Sequence, residues 1–187
     1  MIVETIFSTL DERGKPNFAP MGIIWGEKEI TVRPFRNTHT YQNLIATGCG
    51  VANVTDRILA FVRSALEDTL LPHFPSSKVP GVVLQEACYW REIKVIEVAD
   101  GGERARIRCR VLGKGWQRDF LGFNRARNTL IEAAILATRL HLLDPLKVLE
   151  ELLRYGDTVL KTGDSEERQA YQHLLQYVRG WIDDHNG

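Results

Sequence analysis

Hydrophobic positions in the first two thirds of the chain follow the two-residue period of β-strands. Apolar and β-branched residues alternate with polar ones in short runs, and Gly, Pro, Asn and Asp cluster between the runs. The pattern predicts strands in VETIFSTL, FAPMGIIW, EITVRPF, CGVANVT, QEACYWREIKVIEV and RARIRCRV. Turn-forming residues at 11–17 and 99–103 predict hairpins, the second containing Asp-Gly. Three prolines in the segment 71–81 predict a surface loop.

Two short helices are predicted between these strands. One covers residues 40–47 and stops at Gly48, and the other covers residues 56–66, where apolar side chains recur with roughly helical spacing. Both are expected to be part of a β-rich domain.

The last third of the chain has the 3.6-residue period of amphipathic helices instead. Three helices are predicted, in NRARNTLIEAAILATRLHLL, DPLKVLEELLRYGDTVLK and DSEERQAYQHLLQYVRGWI. Asn124 and Asp144 are the expected N-caps of the first two, and Pro145 suits a first helical turn. The sequence therefore predicts an α+β protein, with a β-rich domain over residues 1–122 and a helical domain over residues 123–187.

Composition narrows the classes of function. The 187 residues include 24 basic and 24 acidic side chains, so the formal net charge is zero, which argues against general nucleic-acid binding. The five histidines lack metal-binding spacings, and the three cysteines form no CxxC pair, so we expect no metal site and free, buried thiols. The N-terminus lacks the basic region of a signal peptide, and no segment is apolar enough to span a bilayer. We expect a cytoplasmic protein that binds neither membranes nor nucleic acid.

Four arginines share one face of a single predicted strand, because they alternate with apolar residues. They are Arg104, Arg106, Arg108 and Arg110. One interpretation is an anion-binding or nucleic-acid-binding face. The other, which we favour, is a solvated face whose arginines pair with Glu92 and Glu97 across the hairpin.

Basic and hydroxyl side chains also collect where the strand EITVRPF gives way to a helix. They are Arg33, Arg36, Asn37, Thr38 and Thr40. A helix N-terminus presents free N–H groups and the positive end of the dipole, and guanidinium and hydroxyl groups would complete a phosphate site there. The alternative is that Asn37, Thr38 or Thr40 only caps the helix and that the arginines are solvated.

Three short motifs in fixed order resemble those of the flavin-reductase-like split barrels that bind FMN. An N-x-A-P motif is matched by Asn17, Ala19 and Pro20. A basic turn followed by T-x-x-N-[IL] is matched by Arg33, Thr40, Asn43 and Leu44. A motif that begins with TG and ends in an apolar residue and Asn is matched by Thr47, Gly48, Val51, Ala52 and Asn53.

Nearly the whole chain resembles a narrower, uncharacterised family of such barrels with a C-terminal helical extension. The stretch GFNRARNTLIEAAILATRL is typical of that family. Its members tend to be encoded beside genes for tetrahydromethanopterin-linked one-carbon metabolism. The resemblance implies an antiparallel, Greek-key-like split β-barrel that binds FMN, followed by a three-helix appendage.

The resemblance also implies which residues contact the cofactor. Those expected at the flavin ring are Ala19, Pro20, Met21, Gly22 and Asn53; those expected at the phosphate are Arg33, Asn37, Thr38, Thr40 and Asn43. Met21 stands where many relatives have Ser or Tyr, so a side-chain hydrogen bond to the ring is missing there. FRNTH replaces the usual Lys-Asp before the helix, so the phosphate role transfers more directly to Arg33 and Thr40 than to their neighbours.

One polar stripe lies on the first helix of the extension. It contains Arg125, Asn128, Glu132 and Arg139, which fall in one sector of a helical wheel. Internal salt bridges explain such a stripe. The alternative is that it lines the flavin cleft, with Arg125 reaching the FMN phosphate or an acidic substrate.

The leading hypothesis is an FMN-dependent oxidoreductase that holds FMN noncovalently near the interface of a homodimer. A nicotinamide or a deazaflavin is the candidate electron donor, and no catalytic side chain can be named. The first alternative is a non-catalytic flavin-binding or assembly protein in pterin-linked one-carbon metabolism. The second is a small nucleic-acid-binding or anion-binding module that uses the arginine strand.

Overall fold

The computed structural model describes residues 1–99 and 102–185. Its strands are β1 (Ile2–Leu10), β2 (Pro16–Ile24), β3 (Glu29–Val32), β4 (Cys49–Val54), β5 (His73–Pro75), β6 (Val82–Leu84), β7 (Tyr89–Ala99) and β8 (Arg106–Trp116). Its helices are α1 (His39–Thr47), α2 (Ile58–Leu66), α3 (Arg125–Ala137), α4 (Pro145–Thr162) and α5 (Ser165–His185). Two compact units result. The barrel unit is Met1–Thr55 with Asp68–Phe120, and the helical unit is Asp56–Glu67 with the chain from Leu121 onward.

Six strands of the barrel unit close into an antiparallel barrel in the order β1-β2-β3-β8-β7-β4. The β1–β2 hairpin keeps one register throughout. Its turn is fixed by Asp11, whose carboxylate accepts the N–H groups of Arg13 at 2.9 Å and Lys15 at 2.8 Å. β7 and β8 pair antiparallel beginning at Ala99 and Arg106, and the predicted Asp-Gly turn at 100–101 lies outside the described residues. The predicted antiparallel barrel is confirmed.

The interior of the barrel contains a buried hydrophobic core. Its buried members include Phe7, Ile23, Ile30, Val32, Ile93 and Ile107. Burying a side chain of this size stabilises a fold by about 1.5–3 kcal/mol. Leu44 of α1 belongs to the same cluster, so packing against the barrel holds α1 in place.

The sequence predicts that the proline-rich segment 71–81 is a surface loop, but part of it forms a strand. Residues 73–75 form β5, which pairs with β6 in a separate two-stranded sheet. Two hydrogen bonds attach this sheet to the barrel: the hydroxyl of Ser8 donates to the carbonyl of Val82 at 2.6 Å, and the N–H of Leu84 donates to Oδ1 of Asn53 at 2.9 Å. These partners are far away in sequence, which is why local composition did not reveal the strands.

The helical unit contains the three predicted C-terminal helices together with α2, which contacts both α3 and α5. Residues 58–66, which the sequence analysis includes in the β-rich domain, therefore pack with the C-terminal helices. The predicted caps are confirmed: Oδ1 of Asn124 accepts the N–H of Arg127 at 3.0 Å, and Oδ1 of Asp144 accepts that of Leu146 at 3.0 Å.

Three further properties of the described residues concern the cysteines, membrane-spanning helices and metal-binding clusters. Cys49, Cys88 and Cys109 are buried and form no disulfide, as predicted. Within residues 1–99 and 102–185, no helix has the length and apolar character needed to cross a bilayer. The same residues contain no group of three or more His, Cys, Asp or Glu side chains placed to hold a metal ion.

Candidate cofactor-binding site

Thr38 is the N-cap of α1 and fixes the junction between β3 and the helix. Its backbone is extended, and its hydroxyl accepts the N–H of Tyr41 at 3.3 Å while donating to the carbonyl of Phe35 at 2.7 Å. The helix ends at Gly48, whose φ of 68° is the left-handed conformation that glycine tolerates best. The cap interpretation of Thr38 is therefore confirmed, and contact with a phosphate stays a prediction.

Thr40 and Asn43 form a polar network inside the barrel unit. The amide of Asn17 donates to the hydroxyl of Thr40 at 3.2 Å, and the amide of Asn43 donates to the hydroxyl of Thr9 at 3.0 Å. Thr40 is 2% exposed and Asn43 is 7% exposed. Two of the predicted phosphate contacts thus connect α1 to β1 and β2, and this geometry favours a structural role for both side chains.

Arg33 and Arg36 differ in how they are held. Arg36 donates to the carbonyl of Gly102 and to the hydroxyl of Tyr41, both at 3.0 Å. Arg33 is exposed, and within the described part of the chain its guanidinium has no hydrogen bond or ion pair. Asn37 is also exposed, beside the start of α1. Arg33 is therefore the cation at this junction whose donors are available to a ligand.

The predicted flavin-facing segment of β2 divides between the two faces of its strand. Met21 packs against the barrel core, and strand alternation places Ala19 on the same face. Pro20 and Gly22 lie on the opposite face, where Gly22 is exposed. A ring stacked on the outside of this strand would meet Pro20 and Gly22, not the side chain of Met21.

Asn53 is fully buried, and both the nitrogen and the oxygen of its side-chain amide are hydrogen-bonded. Its amide nitrogen donates to the carbonyl of Ile6 and to the hydroxyl of Ser8, both at 3.0 Å, and its Oδ1 accepts the N–H of Leu84. The expectation that an amide in this apolar strand needs a partner is confirmed. Its partners join β4 to β1 and β6, while its predicted contact with the flavin ring stays a prediction.

Only part of the predicted pairing of the arginine strand is found. The guanidinium of Arg108 binds Glu29 at 3.2 Å and also binds Glu97, as predicted for Glu97. The predicted pairing with Glu92 is wrong. The carboxylate of Glu92 is buried and accepts the N–H groups of Ser77 at 3.0 Å and Lys78 at 2.5 Å. Burial alone raises the pKa of Glu92, but these hydrogen bonds outweigh it and leave the pKa below its usual value.

In the helical unit, Arg125 and the rest of its predicted stripe are exposed. The buried ion pairs belong to Arg127, which the sequence analysis did not single out. Its guanidinium lies 2.7 Å from the carboxylate of Glu167 and 3.5 Å from that of Asp56. Burial raises the pKa of Glu167, and the stronger opposing effect of Arg127 and nearby N–H groups holds it below its usual value. The contact of Arg125 with a cofactor stays a prediction.

A groove of about 580 Å³ lies elsewhere on the barrel unit, between Glu27–Glu29 and Arg110–Lys114. Lys114 donates to Glu27 at 2.7 Å there, and this bond lowers the pKa of Glu27. None of the predicted cofactor contacts lines the groove. Volume alone therefore does not identify the cofactor site of this chain.

Two family models match the chain in succession. The N-terminal domain model of a protein of unknown function, DUF447, matches residues 3–118, and the C-terminal model of the same family matches residues 124–176. The chain belongs to the DUF447 family. An uncharacterised protein of Methanocaldococcus jannaschii is 24% identical to this DUF447 chain over 196 residues, covering 94% of the chain and 97% of that protein.

Solved structures agree with the fold. The FMN-bound DUF447 protein of Methanosarcina mazei is 28% identical with a TM-score of 0.82, and the match covers 94% of each chain. A candidate flavin reductase with a split barrel domain, from Shewanella frigidimarina, has a TM-score of 0.57 at 12% identity, covering 65% of this chain and 70% of that one. The second likeness shows the fold alone. The barrel of this DUF447 protein is thus a split barrel, as the sequence resemblance implies.

Proposed function

We propose that this protein binds FMN noncovalently through its barrel unit and acts as an FMN-dependent oxidoreductase. The observation that carries the proposal is the match, over almost the full length of both chains, to a DUF447 protein that is itself FMN-bound. A bound flavin supplies the hydride and electron chemistry, so the chain has to bind, orient and shield the cofactor.

The phosphate end of the proposed site lies at the junction of β3 and α1. Arg33 is exposed there and has no partner among the described residues, so its five donors are available to an anion. Thr38 fixes the start of α1, whose first N–H groups and dipole favour negative charge. The residues present therefore fit a phosphoryl group. Asn37 is the proposed second contact, and Thr40 and Asn43 support the helix from behind.

The ring end of the proposed site is the outer face of β2 at Pro20 and Gly22. A glycine without a side chain and a proline without an N–H permit close approach of a flat ligand to the strand, beside the side chains of Glu4 and Ile2 that lie close to Gly22. Met21 packs against the core on the inner side of β2, with Ala19 on the same face, and Asn53 joins β4 to β1, the strand that pairs with β2. A homodimer with the flavin near its interface is part of the proposal, and the oligomeric state in solution with and without FMN tests that part.

The test begins with protein purified without added cofactor. We expect a yellow protein with the two absorption bands of oxidised flavin, and release of intact FMN when the protein is precipitated with acid. Anaerobic addition of a reduced nicotinamide nucleotide or a reduced deazaflavin should then bleach the longer-wavelength band. A colourless protein that takes up no FMN would contradict the proposal.

One observation favours a non-catalytic flavin-binding or assembly protein as the second candidate. The predicted contacts comprise Ala, Pro, Met, Gly, Arg, Asn and Thr, so they include no carboxylate, imidazole or thiol to move a proton. A protein that retains FMN but whose flavin is reduced by neither class of donor would favour this candidate. The link to pterin metabolism stays a prediction.

A further inference from the structure

Arg33 and Arg106 face each other across the pairing of β3 with β8. The register runs through Thr31↔Arg108 and Val32↔Ile107, and it is unchanged at the bridge Phe35↔Arg104. Between these pairs, the N–H of Ala105 donates to the carbonyl of Pro34 at 3.1 Å. A constant register places Arg33 directly opposite Arg106, on the outward face of the barrel. Side chains in such a pair have Cβ atoms about 4.5–5.5 Å apart.

Arg106 is unlike the other arginines of its row. Arg104 stacks on the ring of Phe35 with its guanidinium carbon 3.9 Å from the ring centre. Arg108 lies between two carboxylates, and Arg110 lies opposite Glu29.

The residues directly opposite Arg106 on the two neighbouring strands carry no negative charge, and Glu97, which lies diagonally across on β7, pairs with Arg108. Its register partners are Arg33 on β3 and Ala99 on β7. Both Arg106 and Arg33 are exposed, and neither has a hydrogen bond or ion pair within residues 1–99 and 102–185.

Two like charges directly opposite each other destabilise an antiparallel pair. The chain has as many acidic as basic side chains, and a carboxylate neutralises Arg108 on the same strand. No carboxylate pairs with Arg33 or Arg106 within the described residues. The unneutralised pair therefore points to an anion that is not part of the described chain. Two planar guanidinium groups match the oxygens of a doubly charged phosphate monoester better than a single carboxylate.

We infer that Arg33 and Arg106 bind the phosphoryl group of FMN between them. The inference rests on the proposed function and deepens it, since Arg106 comes from a strand outside the sequence motifs. Arg106 thereby makes the site selective for FMN over riboflavin, which has the same ring but no phosphate.

The experiment compares variants of the full chain, freed of cofactor, for their affinities for FMN and riboflavin. Arg106→Gln is expected to weaken FMN binding by about 10- to 100-fold and to change riboflavin binding by less than about twofold. Arg106→Lys keeps the charge but loses the fork of donors, so its affinity for FMN should lie between those of Arg106→Gln and the unchanged protein. Arg110→Gln is the matched control, because Arg110 is exposed on the same face of β8 but lies opposite Glu29. It should bind FMN like the unchanged protein.

A second readout separates binding from a merely structural role. Without FMN, Arg106→Gln should raise Tm slightly, by about 1–3 °C, since it removes a like-charge pair. With saturating FMN, the variant should gain less Tm than the unchanged protein. A variant with unaltered FMN affinity, or one that loses FMN and riboflavin equally, would overturn the inference. So would an effect confined to the KM of a nucleotide electron donor. If the unchanged protein itself binds no FMN, the proposed function fails, which is a different result.

Discussion

The side-chain amide of Asn43 donates a hydrogen bond of 3.0 Å to the hydroxyl of Thr9, across 34 residues of sequence. Both side chains are buried, Thr9 completely. The bond attaches α1 to the first strand of the barrel, directly behind the helix start where the phosphate is proposed to bind.

Replacing Asn43 by alanine should therefore cost stability. The hydroxyl of Thr9 would remain buried without its donor, at a cost of about 1–3 kcal/mol in the free energy of unfolding. Urea unfolding of the cofactor-free protein measures this. The neighbouring Gln42, exposed on the same helix, gives the control Gln42→Ala, expected to change stability by less than about 0.5 kcal/mol. Equal effects of the two substitutions would contradict the structural role of Asn43.

Glu92 should make stability depend on pH. Its carboxylate accepts N–H groups of residues 77–79 and the hydroxyl of Ser77 at 3.1 Å, and its folded pKa lies below the usual value. The stabilisation is therefore complete above the unfolded pKa, about 4.3, and is lost as pH falls through the folded pKa. Glu92→Gln should cost about 2 kcal/mol at neutral pH, and the difference from the unchanged protein should shrink in acid.

The control for Glu92 lies on the same strand. Glu97 is exposed and pairs with Arg108 on the surface, so Glu97→Gln should cost less than about 1 kcal/mol. Unfolding curves recorded from neutral pH down to about pH 3 give both differences. If the difference in unfolding free energy between Glu92→Gln and the unchanged protein widens in acid, the assigned hydrogen bonds are contradicted.

Arg127 should be the most sensitive position of the helical unit. Its side chain is 18% exposed, and those of its partners Asp56 and Glu167 are 2% and 3% exposed. Arg127→Leu removes the guanidinium that binds two buried carboxylates, which costs about 3–5 kcal/mol. Arg154 pairs with Glu150 at 2.7 Å on the surface of α4, so Arg154→Leu should cost about 0.5 kcal/mol or less. Thermal unfolding monitored by circular dichroism measures both losses. Similar losses for the two variants would contradict the larger contribution of the buried ion pairs to stability.

Cys109 should be inert in the folded protein. Burial, with a smaller contribution from nearby Cys49, raises the pKa of its thiol to about 12, and a protonated, buried thiol does not react. Treatment with iodoacetamide at about pH 8, followed by mass spectrometry, should find Cys109 unmodified in native protein and modified after unfolding in urea. Rapid alkylation of native Cys109 would show that β8 opens.

Local sequence patterns were sufficient for most elements of this fold and for few of its contacts. Thr38, Asn124 and Asp144 identify helix starts because a cap is a bond between near neighbours in sequence. Alternation of apolar and polar residues identifies the barrel strands because it also depends only on residues that are close in sequence. The short strand β5 was missed because it is stabilised by pairing with β6, which the hydroxyl of Ser8 attaches to the barrel, and not by its own composition.

The sequence motifs predict a region for the proposed site, but they do not determine its individual contacts. The motifs indicated the β3–α1 junction, yet they could not show that Thr40 and Asn43 are used internally while Arg33 is free to bind a ligand. That distinction depends on the register between β3 and β8 and on the packing of α1. The same register places Arg106 opposite Arg33, 73 residues apart in the sequence.

Calorimetric titration of FMN into the cofactor-free protein is the decisive experiment for the proposed FMN site. The proposed site predicts saturable binding of about one FMN per chain with a dissociation constant of about 1 μM or lower, and clearly weaker binding of riboflavin. The account would be contradicted by the absence of saturable heat at FMN concentrations of about 100 μM, or by equal affinities for FMN and riboflavin.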